Sequence, residues 1–347
     1  MRGLAKTSRE SGSMELIDVP TPKPASNELL IAVDYAGLCG SDAGIYEFKP
    51  AFERMNPPTI IGHEYTGKVV EVGDDVTQFS PGERVVERPI HGCGDCYQCQ
   101  IGMENICKNT ELTGIDHDGA YAGYIIAPET SLQLVPDDVE PQHAALAEPT
   151  AVSTRAVIEN SRVGAGDNVL VAGPGPIGLL TAQVADAQGA EVTVAGINPD
   201  TRYRLPLAEE LGFPAINIEE TDLESYRAEY TDGIGYDVVF DTTGHPSGLS
   251  MAAEEVRKGG QIVLVGQPGE TTMSYTPLVR AEVDIQCTYS AMYQDFVRAF
   301  RLIASGDVDH ETFLDDRFSL LEADEAFKSF LAGDTCKPVF DVSVLRE

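Results

Sequence analysis

The sequence predicts an α/β chain in two parts: a β-rich part interrupted by a Cys-rich loop, and a doubly wound parallel sheet. Three observations predict it. Short apolar runs bounded by Gly and Pro fill the chain up to about residue 135. Over residues 167–287, short buried-type strands alternate with helical stretches. A glycine-rich turn, Gly173-Pro174-Gly175-Pro176-Ile177-Gly178, stands between a strand and a helix in a βαβ unit of about 30 residues.

Taken in order, residues 28–33 read as a strand after a Pro-rich turn at 21–24. Residues 37–42 read as a loop opening a short helix. Residues 68–73 and 82–86 are further strands, the second following a Pro-Gly turn. The β pattern continues over 114–135. An Ala-rich helical stretch at 142–159 then leads from one part into the other. Residues 167–172 form a short buried strand, 179–188 a helix and 191–195 the next strand. Strands at 236–241 and 261–265 end at Thr243-Gly244 and at Val265-Gly266. Amphipathic helices at 293–304 and 321–330 precede a last strand beginning at Lys337, which is expected to return to the first part.

A chain of 347 residues allows two domains of ordinary size, and 42% apolar residues support a real core. The 56 acidic residues against 24 basic ones give a net charge of −32, spread along the chain. An anionic surface argues against nucleic acid and anionic membrane as partners. The pattern resembles proteins adapted to high salt, where the Debye length falls to about 3 Å and self-repulsion is screened. No run reaches the roughly 20 apolar residues of a membrane span. The first 25 residues carry Arg2, Lys6, Arg9 and Glu10 without an apolar segment, so no secretory leader reads there. The expectation is a cytoplasmic protein.

Seven cysteines are present, and four of them, Cys93, Cys96, Cys99 and Cys107, fall within 15 residues. Four thiolates can wrap one cation in the closed tetrahedral geometry of a structural zinc. Disulfides are an alternative, weakened by the missing leader. A redox pair is another, but it uses two thiols. A second set is dispersed: Cys39, the stretch Gly62-His63-Glu64-Tyr65-Thr66-Gly67, and Glu148-Pro149. Thiolate, imidazole and carboxylate are the ligand types zinc accepts, and a catalytic site keeps one position open. Singly, each has a plain alternative: a hydrogen-bonded core His, a small buried Cys, an exposed turn Glu. Beside a four-Cys cluster and a nucleotide-type turn, the set points instead to a metal ion next to a bound nicotinamide.

Gly173, Gly175 and Gly178, with Pro176 and Ile177 opening the helix, let the backbone approach a pyrophosphate at a helix N-terminus. Thr243, Gly244, Val265 and Gly266, at the ends of later strands, are candidates for the same site. About 20 residues past the turn, NAD sites usually carry an acid for the ribose 2′-hydroxyl. Here that position is Gly196, followed by Ile197 and Asn198; Asp200 is displaced into the loop, and Arg202 and Arg204 follow. A missing carboxylate with guanidinium groups nearby suits a 2′-phosphate, so NADP is favoured over NAD. The alternatives are that both Arg are surface residues, or that Asp200 folds back to the ribose.

With these residues assembled, the chain resembles the zinc-dependent medium-chain dehydrogenases. The resemblance spans nearly the whole chain. Its nearest branch is the sorbitol, threonine and glucose dehydrogenase group, because Glu148-Pro149 stands where classical alcohol dehydrogenases carry a Cys. The resemblance implies a GroES-like β-rich catalytic domain (1–152 and 289–347, with the zinc lobe at 93–107) and a Rossmann dinucleotide-binding domain (153–288). It implies two zincs per chain, a small-molecule sugar or polyol substrate, and a homodimer or homotetramer. Cys39 and His63 would be zinc ligands, Glu64 a ligand or an exchanging carboxylate, and Glu148 a ligand or the holder of water there. Ser41 would take the substrate proton, Tyr46 would line the substrate pocket, and Lys337 would approach the cofactor phosphates. One departure is that related enzymes often carry His three positions after the Ser, where this chain has Gly44. That weakens threonine as a substrate more than a sugar or polyol. The alternatives are a threonine 3-dehydrogenase-like enzyme and a non-catalytic dinucleotide-binding protein.

Overall fold

The computed structural model describes every residue except Pro268, Asp316 and Glu347. Two compact units emerge: Met1–Glu148 with Ala291–Phe300 and Leu314–Glu347, and Pro149–Ser290 with Arg301–Phe313. The segment Arg301–Phe313 lies with the second unit, where Gln183 accepts from the Asp309 backbone at 2.6 Å and His310 bonds Thr150 at 2.9 Å.

The first unit is built on the strand Glu28–Gly37, whose Leu29–Val33 stretch is wholly buried. A continuous apolar run suits a strand covered on both faces. Along one edge it pairs antiparallel with Glu64–Val72. On its other edge, Tyr124–Pro128 takes the first half and Lys337–Asp341 the last three residues. The last strand therefore does return to this unit, as the sequence predicts. Leu29, Ile31 and Val33 join Leu4, Ile61, Tyr121, Phe327 and Phe340 in one core. Each such side chain contributes about 1.5–3 kcal/mol on burial.

The second unit carries, among the described residues, a six-stranded parallel sheet. Its spatial order is Ala215–Asn217, Glu191–Gly196, Asn168–Ala172, Tyr236–Asp241, Val256–Leu264, Asp284–Cys287. The order reverses between Asn168–Ala172 and Tyr236–Asp241, so the crevice for a ligand opens at the carboxyl ends of those two strands.

Several elements differ from the sequence reading. The stretch at 142–159 is not one helix but Pro141–Ala144, Ala147–Thr154 and a wider turn at Arg155–Glu159. Strand Val256–Leu264 starts well before residue 261, because a register shift lets Val256 pair with Tyr236. The short strand Ala215–Asn217 and the partly polar strand Asp284–Cys287 give little periodic signal of their own and are held by their neighbours' ladders.

Candidate active site

Cys39 sits at the N-cap of helix Gly40–Glu47, where its backbone N–H donates to Asp42 at 3.0 Å. A helix N-terminus favours negative charge, which suits a thiolate at this position. His63 and Glu64 enter from Gly62, whose φ of +92° admits only glycine comfortably. A side chain at Gly62 would strike the Tyr121 ring, because its Cβ would lie 2.4 Å from Cδ1. Strand pairing sets Glu64 opposite Gly37. The result is that one ligand atom each from Cys39, His63 and Glu64 lies within 4.8 Å of the others. Ser41 Oγ is 3.5 Å from His63 Nε2. Glu148, in the first turn of helix Ala147–Thr154, is buried.

The electrostatics describe a pocket that attracts positive charge. Burial pushes the Glu148 carboxyl up to about 7; His63 and Lys337 oppose that shift, while Glu64 and Asp42 add to it. Burial would lower the His63 imidazole, but the charges of Asp42 and Cys39 overcome it and hold it well above the usual range. Burial also raises Asp42. A bound dication would answer the same excess of negative charge. Among the described residues, His63 Nδ1 and Asp42 Oδ1 are both buried without a hydrogen-bond partner, and they face each other at 3.8 Å. That arrangement leaves Nε2 for a metal and Nδ1 for a carboxylate, the usual support of a metal-bound imidazole. The donor set therefore fits zinc.

Three of these positions make contacts within the first unit that the sequence did not show. Lys337 is fully buried, and its ammonium pairs with Glu64 and donates to the Leu38 carbonyl at 3.0 Å. Within the first unit it is thus committed to a candidate ligand. Tyr46 is a packing residue: its ring stacks on Phe327 at 5.0 Å and its hydroxyl donates to Asp324. Gly44 leaves no opening for a relay group, since a Cβ there would lie 2.5 Å from the Phe52 ring.

Cys93, Cys96, Cys99 and Cys107 form the second group, with sulfurs mutually within 4.8 Å and no disulfide. Cys96 Sγ lies 3.5 Å from Cys99 Sγ and 3.7 Å from Cys107 Sγ. A tetrahedral zinc with Zn–S near 2.3 Å requires sulfur separations of about 3.8 Å. Backbone N–H groups of Cys93 and Asn109 each donate to Cys107 Sγ at 3.3 Å, which fixes its position in the lobe. Three of the four are buried, so the lobe makes a closed site.

In the second unit, Gly173 has φ of +99° and leads from its strand into helix Pro176–Ala187, capped by Gly175. A Cβ on Gly178 would meet the Gly173 carbonyl at 1.8 Å, whereas one on Gly175 would meet nothing within 4 Å. Gly178 thus closes the turn, and Gly175 borders open space at the helix N-terminus. Thr242 Oγ1 bonds the carbonyls of Ala172 and Gly173 at 2.7 and 2.9 Å, tying the two strand ends together. Asp241 holds Thr243 through its side chain, and its carbonyl accepts from Val265 and Gly266. Thr243, Gly244, Val265 and Gly266 therefore gather at the same sheet end as Gly173 to Gly178. Gly196 abuts the turn, since its Cβ would lie 2.9 Å from Pro174. Asp200 does fold back, but onto its own strand end: it accepts from Ile197 N at 3.0 Å and pairs with Arg204 at 3.7 Å. Arg202 is exposed. Asn198 N donates to Glu219 at 2.7 Å, which brings a carboxylate to this corner from the next strand's end.

Residues 25–137 match the family model described as the alcohol dehydrogenase GroES-like domain, and residues 176–305 match that of the zinc-binding dehydrogenases. A sorbitol dehydrogenase of Halalkalibacterium halodurans is 34% identical over 342 residues, covering 97% of this chain and 98% of that protein. The chain belongs to the zinc-dependent medium-chain dehydrogenase family. An L-threonine 3-dehydrogenase of Pyrococcus furiosus is 33% identical, covering 98% of both chains. Among solved structures, a zinc-binding dehydrogenase of Sinorhizobium meliloti bound to NADP superposes with a TM-score of 0.89 at 28% identity, covering 98% of both chains. This dehydrogenase is an oxidoreductase that uses zinc and a nicotinamide cofactor to act on a small molecule bearing a CH–OH group. Among its described residues no helix is long and apolar enough to cross a membrane.

Sequence reasoning on this dehydrogenase missed Asp42, Tyr121, Phe52 and Glu219. Asp42 had a legible signal: a carboxylate three residues after Cys39 is placed to cap the helix that Cys39 opens. Tyr121 had none, because its partner Asp42 lies 79 residues away.

Proposed function

We propose that this enzyme oxidises a secondary or C1 hydroxyl of a sugar or polyol, with NADP favoured over NAD. The observation that carries the reading is the convergence of Cys39, His63 and Glu64 on one point, with Glu148 buried nearby. These residues would hold the catalytic zinc, and Cys93, Cys96, Cys99 and Cys107 a structural one. Zinc at the first site supplies Lewis acidity that lowers the pKa of a substrate hydroxyl. Ser41, whose Oγ lies 3.5 Å from His63 Nε2, would take the hydroxyl proton. Gly173 to Gly178 would hold the pyrophosphate, with Thr243, Gly244, Val265 and Gly266 beside it, Gly196 and Asn198 at the adenosine ribose, and Arg202 and Arg204 toward a 2′-phosphate. Phe52 fills the space beside Gly44, where related enzymes often carry a His, and this supports a sugar or polyol over threonine.

The edge strand Asp284–Cys287, with Ile285 and Tyr289 exposed, supports a homodimer or homotetramer. The clustered cysteines, which form no disulfide, support a reducing, cytoplasmic location. A panel of sugars, polyols and threonine, each with NAD and NADP, tests substrate and cofactor together. Threonine as the best substrate would remove the polyol reading. A wide preference for NAD would remove the roles given to Arg202 and Arg204. Metal analysis should give two zincs per chain, with His63→Ala and Cys107→Ser each losing one. Sedimentation reads the oligomer.

A further inference from the structure

We infer that Tyr121 is the positioning residue for His63, acting through the Asp42 carboxylate and through the backbone at Gly62. This rests on the reading of Cys39, His63 and Glu64 as a zinc site. Tyr121 is fully buried, with its ring edge-on to Phe340 at 5.6 Å, so it has little freedom to move. Its one hydroxyl proton faces two acceptors: the Gly37 carbonyl at 2.9 Å and Asp42 Oδ2 at 3.0 Å. The same Oδ2 accepts from Cys39 N at 3.0 Å. Two donors on one oxygen fix the rotation of the carboxylate. The other oxygen, Oδ1, is then directed at His63 Nδ1, 3.8 Å away, and neither atom has another hydrogen-bond partner among the described residues. On the opposite side the Tyr121 ring fills the space a side chain at residue 62 would need. One residue thereby sets both the ring tilt of His63, through Asp42, and the path of the chain that delivers it.

The hydroxyl is the separable part. Tyr121→Phe keeps the ring against Gly62 and removes the hydroxyl that faces Asp42 and the Gly37 carbonyl; an Asp42→Asn background separates the two. Zinc affinity is read by titrating the loaded protein with a chelating dye, and the ligand field is read by cobalt substitution. The expected result is about tenfold weaker zinc at the Cys39–His63 site. The four-Cys zinc is retained, the melting temperature is little changed, and the cobalt absorption bands shift. On an Asp42→Asn background the second substitution should add nothing, because the hydroxyl acts through that carboxylate. Unchanged zinc affinity and unchanged cobalt spectrum in Tyr121→Phe would overturn the inference. So would an equal loss on both backgrounds, which would make the hydroxyl a general stabiliser. A wild-type protein holding zinc only at the four cysteines would overturn the catalytic-metal reading and this inference together.

Discussion

The ammonium of Lys337 is buried against the carboxylate of Glu64, a residue that is also a candidate metal ligand. Burying a carboxylate without a partner is costly, and Gly37 leaves the space in which the two groups meet. The pair joins the last strand of the chain to the strand that carries the metal-site motif.

Replacing one partner of such a pair strands the other. Lys337→Met should cost about 3–5 kcal/mol in urea unfolding of the metal-free protein. Zinc should return part of that loss, because it supplies positive charge beside Glu64. Adding Glu64→Gln to the lysine variant should also recover stability. A loss below about 1 kcal/mol, the range of exposed pairs, would mean that water reaches Glu64.

Two glycines of the nucleotide turn should respond in opposite ways. Gly178→Ala drives a methyl into the Gly173 carbonyl and should unfold or strongly destabilise the second unit, with a melting temperature several degrees lower. Gly175→Ala meets nothing within 4 Å and should melt as wild type, yet bind the reduced cofactor at least tenfold more weakly in a fluorescence titration, because the methyl occupies the pyrophosphate's approach. Equal melting temperatures for the two variants would contradict the geometry of this turn.

Asp315 gives a defined acid sensitivity. Burial would raise its carboxyl, but bonds from Arg317 at 2.6 and 2.8 Å and from Thr335 at 2.6 Å overcome that and hold it below the usual range. A depressed folded pKa contributes stability that is fully present above the unfolded value, near 3.9, and is lost as pH falls through the folded one. Asp315→Asn should therefore lower stability by about 2 kcal/mol at neutral pH. The difference from wild type should shrink in acid, below about pH 4, as the wild-type carboxyl takes up its proton. A gap that stays constant down to the acid limit would show that the loss is one of packing.

The surplus of 56 acidic over 24 basic residues leaves most surface carboxylates without a cation to pair with. The melting temperature should rise from low to molar sodium chloride as self-repulsion is screened. A flat profile would show that the charges are spaced widely enough to ignore one another.

What the sequence made legible follows from how local each signal is. The four-Cys lobe and the glycine turn are short-range patterns, since one cation or one helix N-terminus dictates the spacing. Cys39, His63 and Glu148 were legible only in combination, as residue types that zinc accepts. The contacts of Lys337 and Tyr46 were not legible for a common reason: identity does not reveal burial. Lysine at the start of a strand reads as a surface cation until a carboxylate 273 positions away is set against it. Tyr46 reads as a pocket residue until a helix near the C-terminus supplies Phe327 and Asp324. Gly44 was correctly seen as a departure, but Phe52, the reason for it, comes from a separate short turn at Pro50–Phe52.

The strand Lys337–Asp341 has a consequence for how the molecule is made. During synthesis the parallel sheet can assemble on the ribosome as soon as residue 290 or so has emerged, because its six strands are contiguous in the chain. The metal-bearing half must wait with the Gly37 edge of its sheet open and Glu64 uncompensated until Lys337–Asp341 has emerged as well. A nascent chain arrested before them would present an exposed ladder to its neighbours.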